Sequence, residues 1–515
     1  MKKSAKAFIS ILLCLILAIG VALPSFAKSE KTAFIVVSGM NSAPLYCDGQ
    51  KVFGPETSVI MSAVMKSLPS LAKFLTDGNY DSLADGMFPA VKSIFEKLSC
   101  NPDGTSVYNV ESKQFFDRAS EFSSEFASET KDEFAIVRAG MEAFGAENTY
   151  FFNYDWRLSP LDHAEALHKF IQMVKEKDDY DRISMVAYSM GGTVVCSYLS
   201  KYGSSDIDAI ALCSTAFQGT TSVGALFTGA FNYSMGGMMR RFAELTRSNF
   251  FEDFLNCLNT ALNDFGINAC IDSIANSFAG KLNDRIYEDV IIPVFGYMPG
   301  LWAMVDSDEY TAAKKFMLDE NLNSALIEKI DEYKYNVQDK AEELLKDAQK
   351  DTNIYITAQY NRQGLPVSVA SSTSNNDNLI DTRLESGGAV CSLLGETLGE
   401  NYTQKIDCGH NHISYDNNID ASTCMFPEQT WFVKNMMHVD YPYGDSTDFI
   451  IWLMQSETQL TVHSSEKYPQ FLIYDCDSNT LSPLAEQQST IADIIFGILS
   501  KIIDTFSEII SMIIY

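Results

Sequence analysis

Arg182-Ile-Ser-Met-Val-Ala-Tyr-Ser189-Met-Gly-Gly192 is the stretch whose reading decides the fold. Ile183 to Ala187 is a short apolar run of the kind found in a strand buried on both faces. The chain then turns at Ser189 and enters Thr193-Val-Val-Cys-Ser-Tyr-Leu-Ser-Lys-Tyr202, a helix-like run with Gly203 as its C-terminal stop. A serine between a buried strand and a buried helix, with small residues two positions either side (Ala187 and Gly191), fits a nucleophile elbow. The same letters also open an ordinary helix, and the rest of the chain has to separate the two readings.

Working outward, strand and helix signals alternate. Lys31 to Ser38 reads as a buried strand that runs into the turn Gly39-Met-Asn-Ser-Ala-Pro44. Phe134 to Phe144 is helical, Asn148 to Tyr154 a strand, Asp162 to Lys177 an amphipathic helix and Ala209 to Cys213 a strand. This alternation predicts an α/β chain with a mostly parallel sheet covered on both faces. Two insertions interrupt it. Residues 55–130 carry a helical insertion, which is either a lid near the first strand or a plain helical excursion. Residues 216–350 read as a helical cap, rich in Gly, Phe and Met at first and in charged amphipathic helix later. Asn353 to Tyr360 restores the strand pattern. Leu365 to Glu428 is loop-like, Gln429 to Val433 is a short strand, and a further strand is possible at Gln459 to Val462. Asp448 to Ser456 closes as a helix. The domain is expected to span 28–475.

The ends of the chain differ from its middle. Met1-Lys-Lys-Ser-Ala-Lys6, the apolar Ala7 to Leu23 and the small-residue site Ser25-Phe-Ala27 predict a secretory leader, 1–27, and an extracellular location. Its removal takes away three lysines and no acid, moving the net charge from −29 to −32. So acidic a surface disfavours nucleic acid and anionic membranes as partners. At the other end, 489–515 reads as an amphipathic helix. Asp493, Gly497, Lys501, Asp504, Glu508 and Ser511 form a narrow polar stripe on an otherwise apolar segment. It suits docking, self-association or contact with a lipid surface. In an oxidising compartment several cysteines are expected to pair: Cys47 with Cys100, Cys257 with Cys270, and two among Cys391, Cys408 and Cys424. Cys196 and Cys213 fall in core elements and are expected as buried thiols.

A serine hydroxyl needs a base, and in an elbow-type arrangement the order along the chain is Ser, then acid, then His. Six histidines make the search short. His438, five residues beyond a strand signal, is the expected base, with His463 as runner-up. The acid belongs on the loop after the restored strand. Asp377 is chosen there over Asp381 and over Asp420. It would hold the imidazole tautomer and stabilise its charged form. Backbone N–H groups of Met190 and Met40 are the expected oxyanion donors, with Gly39 letting the chain come close. No cofactor is called for. Cys408-Gly-His410-Asn-His412 gathers ligand-type residues, but it lacks a spaced partner pair, so no metal is expected. Asp475-Cys-Asp477-Ser-Asn479 reads as a turn rather than a calcium loop.

Asn153-Tyr-Asp-Trp-Arg157-Leu-Ser-Pro160 followed by Val186-Ala-Tyr-Ser-Met-Gly-Gly192 resembles the lecithin:cholesterol acyltransferase and lysosomal phospholipase A2 family. Val37-Ser-Gly-Met40 resembles that family's turn after the first strand. Asn376-Asp377-Asn-Leu-Ile380 is similar to its acidic loop, with Asn378 in place of Gly; Ala187 and Tyr188 are further departures. The resemblance implies an α/β-hydrolase fold and acyl transfer from an ester, with phospholipase or O-acyltransferase action on lipids. Tyr154-Asp-Trp-Arg157 is expected to be structural, a strand end with an Asp–Arg pair. The chain is thus expected to be a serine esterase or lipase acting on acyl esters. The alternative is a non-catalytic surface or interaction protein on the same scaffold.

Overall fold

The computed structural model describes residues 31–40, 44–52, 57–112, 118–122, 134–230, 232–245, 249–440 and 444–485. The expected leader (1–27) and amphipathic tail (489–515) lie outside these residues, as do parts of the 55–130 insertion. Among the described residues no helix is long and apolar enough to cross a membrane.

Eight strands form the central sheet: β1 (Thr32–Val37), β2 (Thr149–Phe152), β3 (Arg182–Ser189), β4 (Ala209–Thr215), β5 (Asn353–Tyr360), β6 (Thr430–Lys434), β7 (Phe471–Asp475) and β8 (Thr480–Pro483). Their spatial order is β8-β7-β6-β5-β4-β3-β1-β2. Every neighbouring pair is parallel except the β7–β8 hairpin. A parallel sheet needs cover on both faces, because its crossovers lie there. The side chains of β1 show how the cover divides. Ala33, Ile35 and Val37 point into one core with the helices Pro160–Lys177, Gly191–Tyr202 and Ala341–Ala348. Phe34 and Val36 point into the other, with Phe134–Phe144 and Asp445–Gln455. The two faces alternate along the strand as the pleat requires.

Long helical segments stand between the strands. Thr57–Asp77 and Tyr80–Phe95 precede β2. Met235–Leu245, Asn249–Asp264 and Ile267–Ile286 lie between β4 and β5.

Three sequence expectations are corrected. The sheet extends past 475, because β8 turns back beside β7 through Asn479 in the left-handed region (φ 54°). Residues 459–462 form no strand. There the Gln459 side chain accepts from the Ile354 N–H and donates to its carbonyl, pairing backbone groups that β6, which begins opposite Ile356, does not reach. No disulfide joins the ten described cysteines. In the expected pairs, Cys47 Sγ turns to Asp48 Oδ2 (3.7 Å), Cys391 Sγ to Ala389 O (3.5 Å) and Cys408 Sγ to His410 O (3.7 Å). Cys196 and Cys213 are buried thiols.

Candidate active site

In a parallel sheet the C-terminal strand ends share one edge, and loops leaving that edge converge. Ser189 ends β3, Asp377 lies on the loop after β5, and His438 follows β6.

The exit of β3 is tight. Ser189 has φ 50°, a left-handed conformation that costs a non-glycine residue of order 1–3 kcal/mol and is found where surrounding packing enforces it. The register between β3 and β4 shifts between Tyr188 and Ser189, so the strand kinks at the serine. A side chain at Gly191 would put a Cβ 2.7 Å from Ser38 O and 2.9 Å from Val37 O; at Gly192 it would lie 2.5 Å from Thr215 Cβ. At Gly39 it would lie 2.9 Å from Ser189 Cβ. These three glycines let β1, β4 and the serine turn meet. Met190 stands at the N-cap of the helix Gly191–Tyr202, where backbone N–H groups lack intrahelical acceptors and the helix dipole favours negative charge. Met40 is half-buried immediately after Gly39.

On the acid loop, Asp377 is fully buried. Its Oδ2 lies 2.5 Å from His438 Nδ1. Its Oδ1 accepts from the N–H groups of Leu379 (2.8 Å) and Ile380 (2.7 Å), and its carbonyl accepts from His438 N–H (2.6 Å). Burial raises the pKa of such a carboxyl, but the imidazole and the converging hydrogen bonds outweigh it, and Asp377 is held below the usual aspartate range. An ionised Asp377 fixes the proton on Nδ1, so Nε2 is the basic nitrogen of the neutral ring. Asn378 adopts φ 89°, a left-handed conformation that asparagine enters more readily than most residues.

Asp381 and Asp420 are committed elsewhere. Asp381 accepts from Thr221 N–H and Ser374 Oγ. Asp420 accepts from Tyr402 Oη, Lys405 N–H and both Ser422 donors. His463 faces Glu428. Ser189 and His438 leave the same edge of the sheet, and among the described residues no hydrogen bond joins their side chains. Such bonds are often long before substrate binds. A cleft of about 380 Å³ near Asp306, Asp381 and Arg383 contains none of Ser189, Asp377 and His438.

Two supports were not read from the sequence. Glu385, fully buried, offers an oxygen within 4.8 Å of Asp377 and His438. Its Oε2 accepts from Gln359 N–H (2.7 Å), while Oε1 has no acceptor-type contact. Burial, then the charge of Asp377, pushes its carboxyl well above the usual range. A protonated Glu385 then donates to Asp377 and leaves a single charge in the pair. Arg362, also buried, donates through Nε (2.8 Å) and Nη2 (2.5 Å) to Asn435 O, while its N–H donates to Asn376 O. It therefore ties the Asp377 loop to the His438 loop. From the cap, Arg241 Nη1 donates to Asn378 O (2.6 Å), and Glu244 Oε2 accepts from Asn378 Nδ2 (2.6 Å).

Asp155 and Arg157 form the structural pair expected of them. Arg157 Nε and Nη2 lie 2.9 and 2.6 Å from the two Asp155 oxygens, and the guanidinium also donates to Leu98 O and Ser106 Oγ.

A family model described as the alpha/beta hydrolase fold matches residues 124–318. No curated protein matches the chain. Among solved structures, a chain described under "The crystal structure of Tle4-Tli4 complex" is similar at 12% identity and a TM-score of 0.31, covering 82% of this chain and 99% of that one. So distant a likeness says nothing about substrate or partner. With its mostly parallel sheet and helices on both faces, the chain has an α/β-hydrolase fold.

Proposed function

We propose that this chain is a serine hydrolase that cleaves acyl esters, with Ser189 as nucleophile, His438 as base and Asp377 as the acid that orients it. The observation that carries the reading is the buried Asp377–His438 pair on the same sheet edge as a serine in a left-handed turn. Ser189 Oγ attacks the ester carbonyl and its proton passes to His438 Nε2. The tetrahedral oxyanion is held by the N–H groups of Met40 and Met190. Collapse expels the alcohol, which takes the proton from the imidazolium. Water then attacks the acyl-enzyme, His438 removes its proton, and the carboxylic acid leaves as Ser189 is restored. An alcohol in place of water would give acyl transfer; hydrolysis is the favoured outcome for an exported protein.

A lipid-type acyl group suits the cap. Phe242, Phe254, Leu258, Ile274 and Met238 are exposed along its helices, and exposed apolar patches mark surfaces that meet apolar partners. The motif resemblance to lipid acyltransferases and phospholipases points the same way. The test is hydrolysis of short- and long-chain p-nitrophenyl esters by the parent and by Ser189→Ala. Loss of activity by about a thousandfold or more is expected. Equal rates for the two proteins would end the proposal.

A further inference from the structure

Across the sheet from Ser189, at the N-terminal end of β6, four potential metal donors converge. Glu428 sits in the turn Pro427–Gln429 that feeds the strand. Cys408, His410 and His412 come from the long loop before it. One donor atom from each of these four residues lies within 4.8 Å of the others. His410 Nδ1 is 2.9 Å and His412 Nε2 3.3 Å from Glu428 Oε1. The sequence shows only the short Cys408-Gly-His-Asn-His412 cluster. The spaced partner it lacks is Glu428, which folding brings back sixteen residues after His412.

Hydrogen bonds account for His410, whose Nδ1 pairs with Glu428 Oε1, and for the Cys408 thiol, which reaches His410 O (3.7 Å), but not for the contact between His412 and Glu428. Gln470 Nε2 donates to Pro427 O (2.7 Å) and Thr430 O (3.2 Å), which fixes its amide so that Oε1 is the acceptor. That oxygen lies 2.7 Å from His412 Nδ1, so Nδ1 carries the proton. In the neutral ring Nε2 is then a lone pair, fully buried, without a hydrogen-bond partner, and aimed at a carboxylate oxygen. Two electron-rich atoms at 3.3 Å repel unless a cation lies between them.

We infer that Cys408, His410, His412 and Glu428 form a binding site for a divalent transition-metal ion of the zinc type. The set of two nitrogens, one sulfur and one oxygen suits zinc and not calcium or magnesium, which take oxygen ligands. Metal–ligand bonds of about 2.0–2.3 Å in a tetrahedron require donor separations of roughly 3.3–3.8 Å. The two separations from Glu428 Oε1, 2.9 Å to His410 and 3.3 Å to His412, lie just below and at the lower end of that range, and the two exposed members, Cys408 and His410, are free to adjust to it. A thiolate and a carboxylate neutralise the ion's two charges. Binding releases the Cys408 thiol proton to solvent, so affinity rises with pH. Outer partners are already in position: Gln470 orients His412, and His463 Nε2 lies 3.1 Å from Glu428 Oε2, the oxygen not used for the metal. All four positions are filled by the protein, so the ion is structural. It fastens the loop around 404–412 to the start of β6, away from the ester chemistry.

The test uses the full chain stripped with a chelator and titrated with Zn²⁺ alone, by calorimetry and thermal melting. Uptake of one ion per chain and a raised melting temperature are expected. Co²⁺ in its place should give a thiolate-to-metal charge-transfer band that Cys408→Ser removes. The double variant Cys408→Ser/His410→Ala alters only exposed side chains, so its fold survives, and it should bind about a hundredfold more weakly or worse. No uptake by the stripped parent would mean that a proton, not a metal, sits between His412 and Glu428, and would overturn the site. Equal affinity in the double variant, or a cobalt complex without the thiolate band, would overturn it as well.

Discussion

Two carboxyls buried side by side cannot both be charged, and at Asp377 and Glu385 the hydrogen bonds decide which one is. At Asp377 burial is outweighed by the imidazole and two backbone N–H groups, and its pKa falls; at Glu385 burial and the charge of Asp377 outweigh the single N–H from Gln359, and its pKa rises. The pair gives a signed pH dependence. In the unfolded chain Glu385 loses its proton near the ordinary value of about 4.3. In the folded chain it keeps the proton to much higher pH. Above the ordinary value the folded state therefore binds more protons, and Glu385's contribution to stability falls as pH rises. Asp377 acts in the opposite direction: its contribution is present above the ordinary aspartate value and is lost as pH falls through its lowered one. Glu385→Gln cannot ionise yet still donates to Asp377. It should be more stable than the parent at pH 8, by on the order of 1 kcal/mol, with the gap closing toward pH 4. Urea unfolding across that range measures it; a gap independent of pH would contradict the assignment. Ser189, Asp377 and His438 could be proposed from the sequence because each stands beside a strand signal that is local, in the order Ser, acid, His. Glu385 could not. Thr382-Arg-Leu-Glu385 looks like a solvated helical turn, and only the folding of that turn beneath β5 buries it.

Among the elements, what holds the site is the pair of loops leaving β5 and β6. Besides the Asp377–His438 bonds and the pair Asn361 Nδ2–Asn435 Oδ1 (2.7 Å), the Arg362 guanidinium joins them through the Asn435 carbonyl. Arg362→Met keeps the apolar stem but removes these bonds. It should lower kcat by about tenfold to a hundredfold with little change in KM, because the imidazole is misplaced while the substrate surface is intact. Steady-state kinetics on a short ester reads this; an unchanged kcat would remove Arg362 from the account. The central strands were readable as apolar runs because a sheet covered on both faces leaves no polar alternation to hide them. The β7–β8 hairpin was not, since Phe471–Asp475 alternates weakly and its partner ends in Pro483. The run at 459–462 misled for a related reason: its β-prone residues lie beside β5, but a Gln459 side chain, not a ladder, meets that strand.

On the scale of the molecule, an acidic body carries a cap whose helices expose aromatic and aliphatic side chains. A net charge of −29 favours neutral over anionic lipid surfaces. Phe242 and Phe254 are 65% and 49% exposed. Replacing both with Ser should reduce hydrolysis of long-chain esters in neutral vesicles by about tenfold and leave soluble short-chain esters unaffected, since the two half-exposed rings together lose on the order of 1–2 kcal/mol of apolar contact. Equal losses on both substrates would instead mean that the phenylalanines support the fold. The cap is not remote from the chemistry, because Arg241 and Glu244 both hold Asn378, next to the proposed acid. The sequence marks the cap as an interruption of the strand pattern; contacts to a residue 134 positions away are beyond local reading.

The account stands on an activated serine at the end of β3. Labelling of the full chain with a fluorophosphonate, located by peptide mass spectrometry, addresses it directly. One adduct per chain at Ser189 is expected, formed more slowly in His438→Ala and absent from Ser189→Ala. A parent that takes no label, or takes it at Ser189 equally fast without His438, would contradict the account.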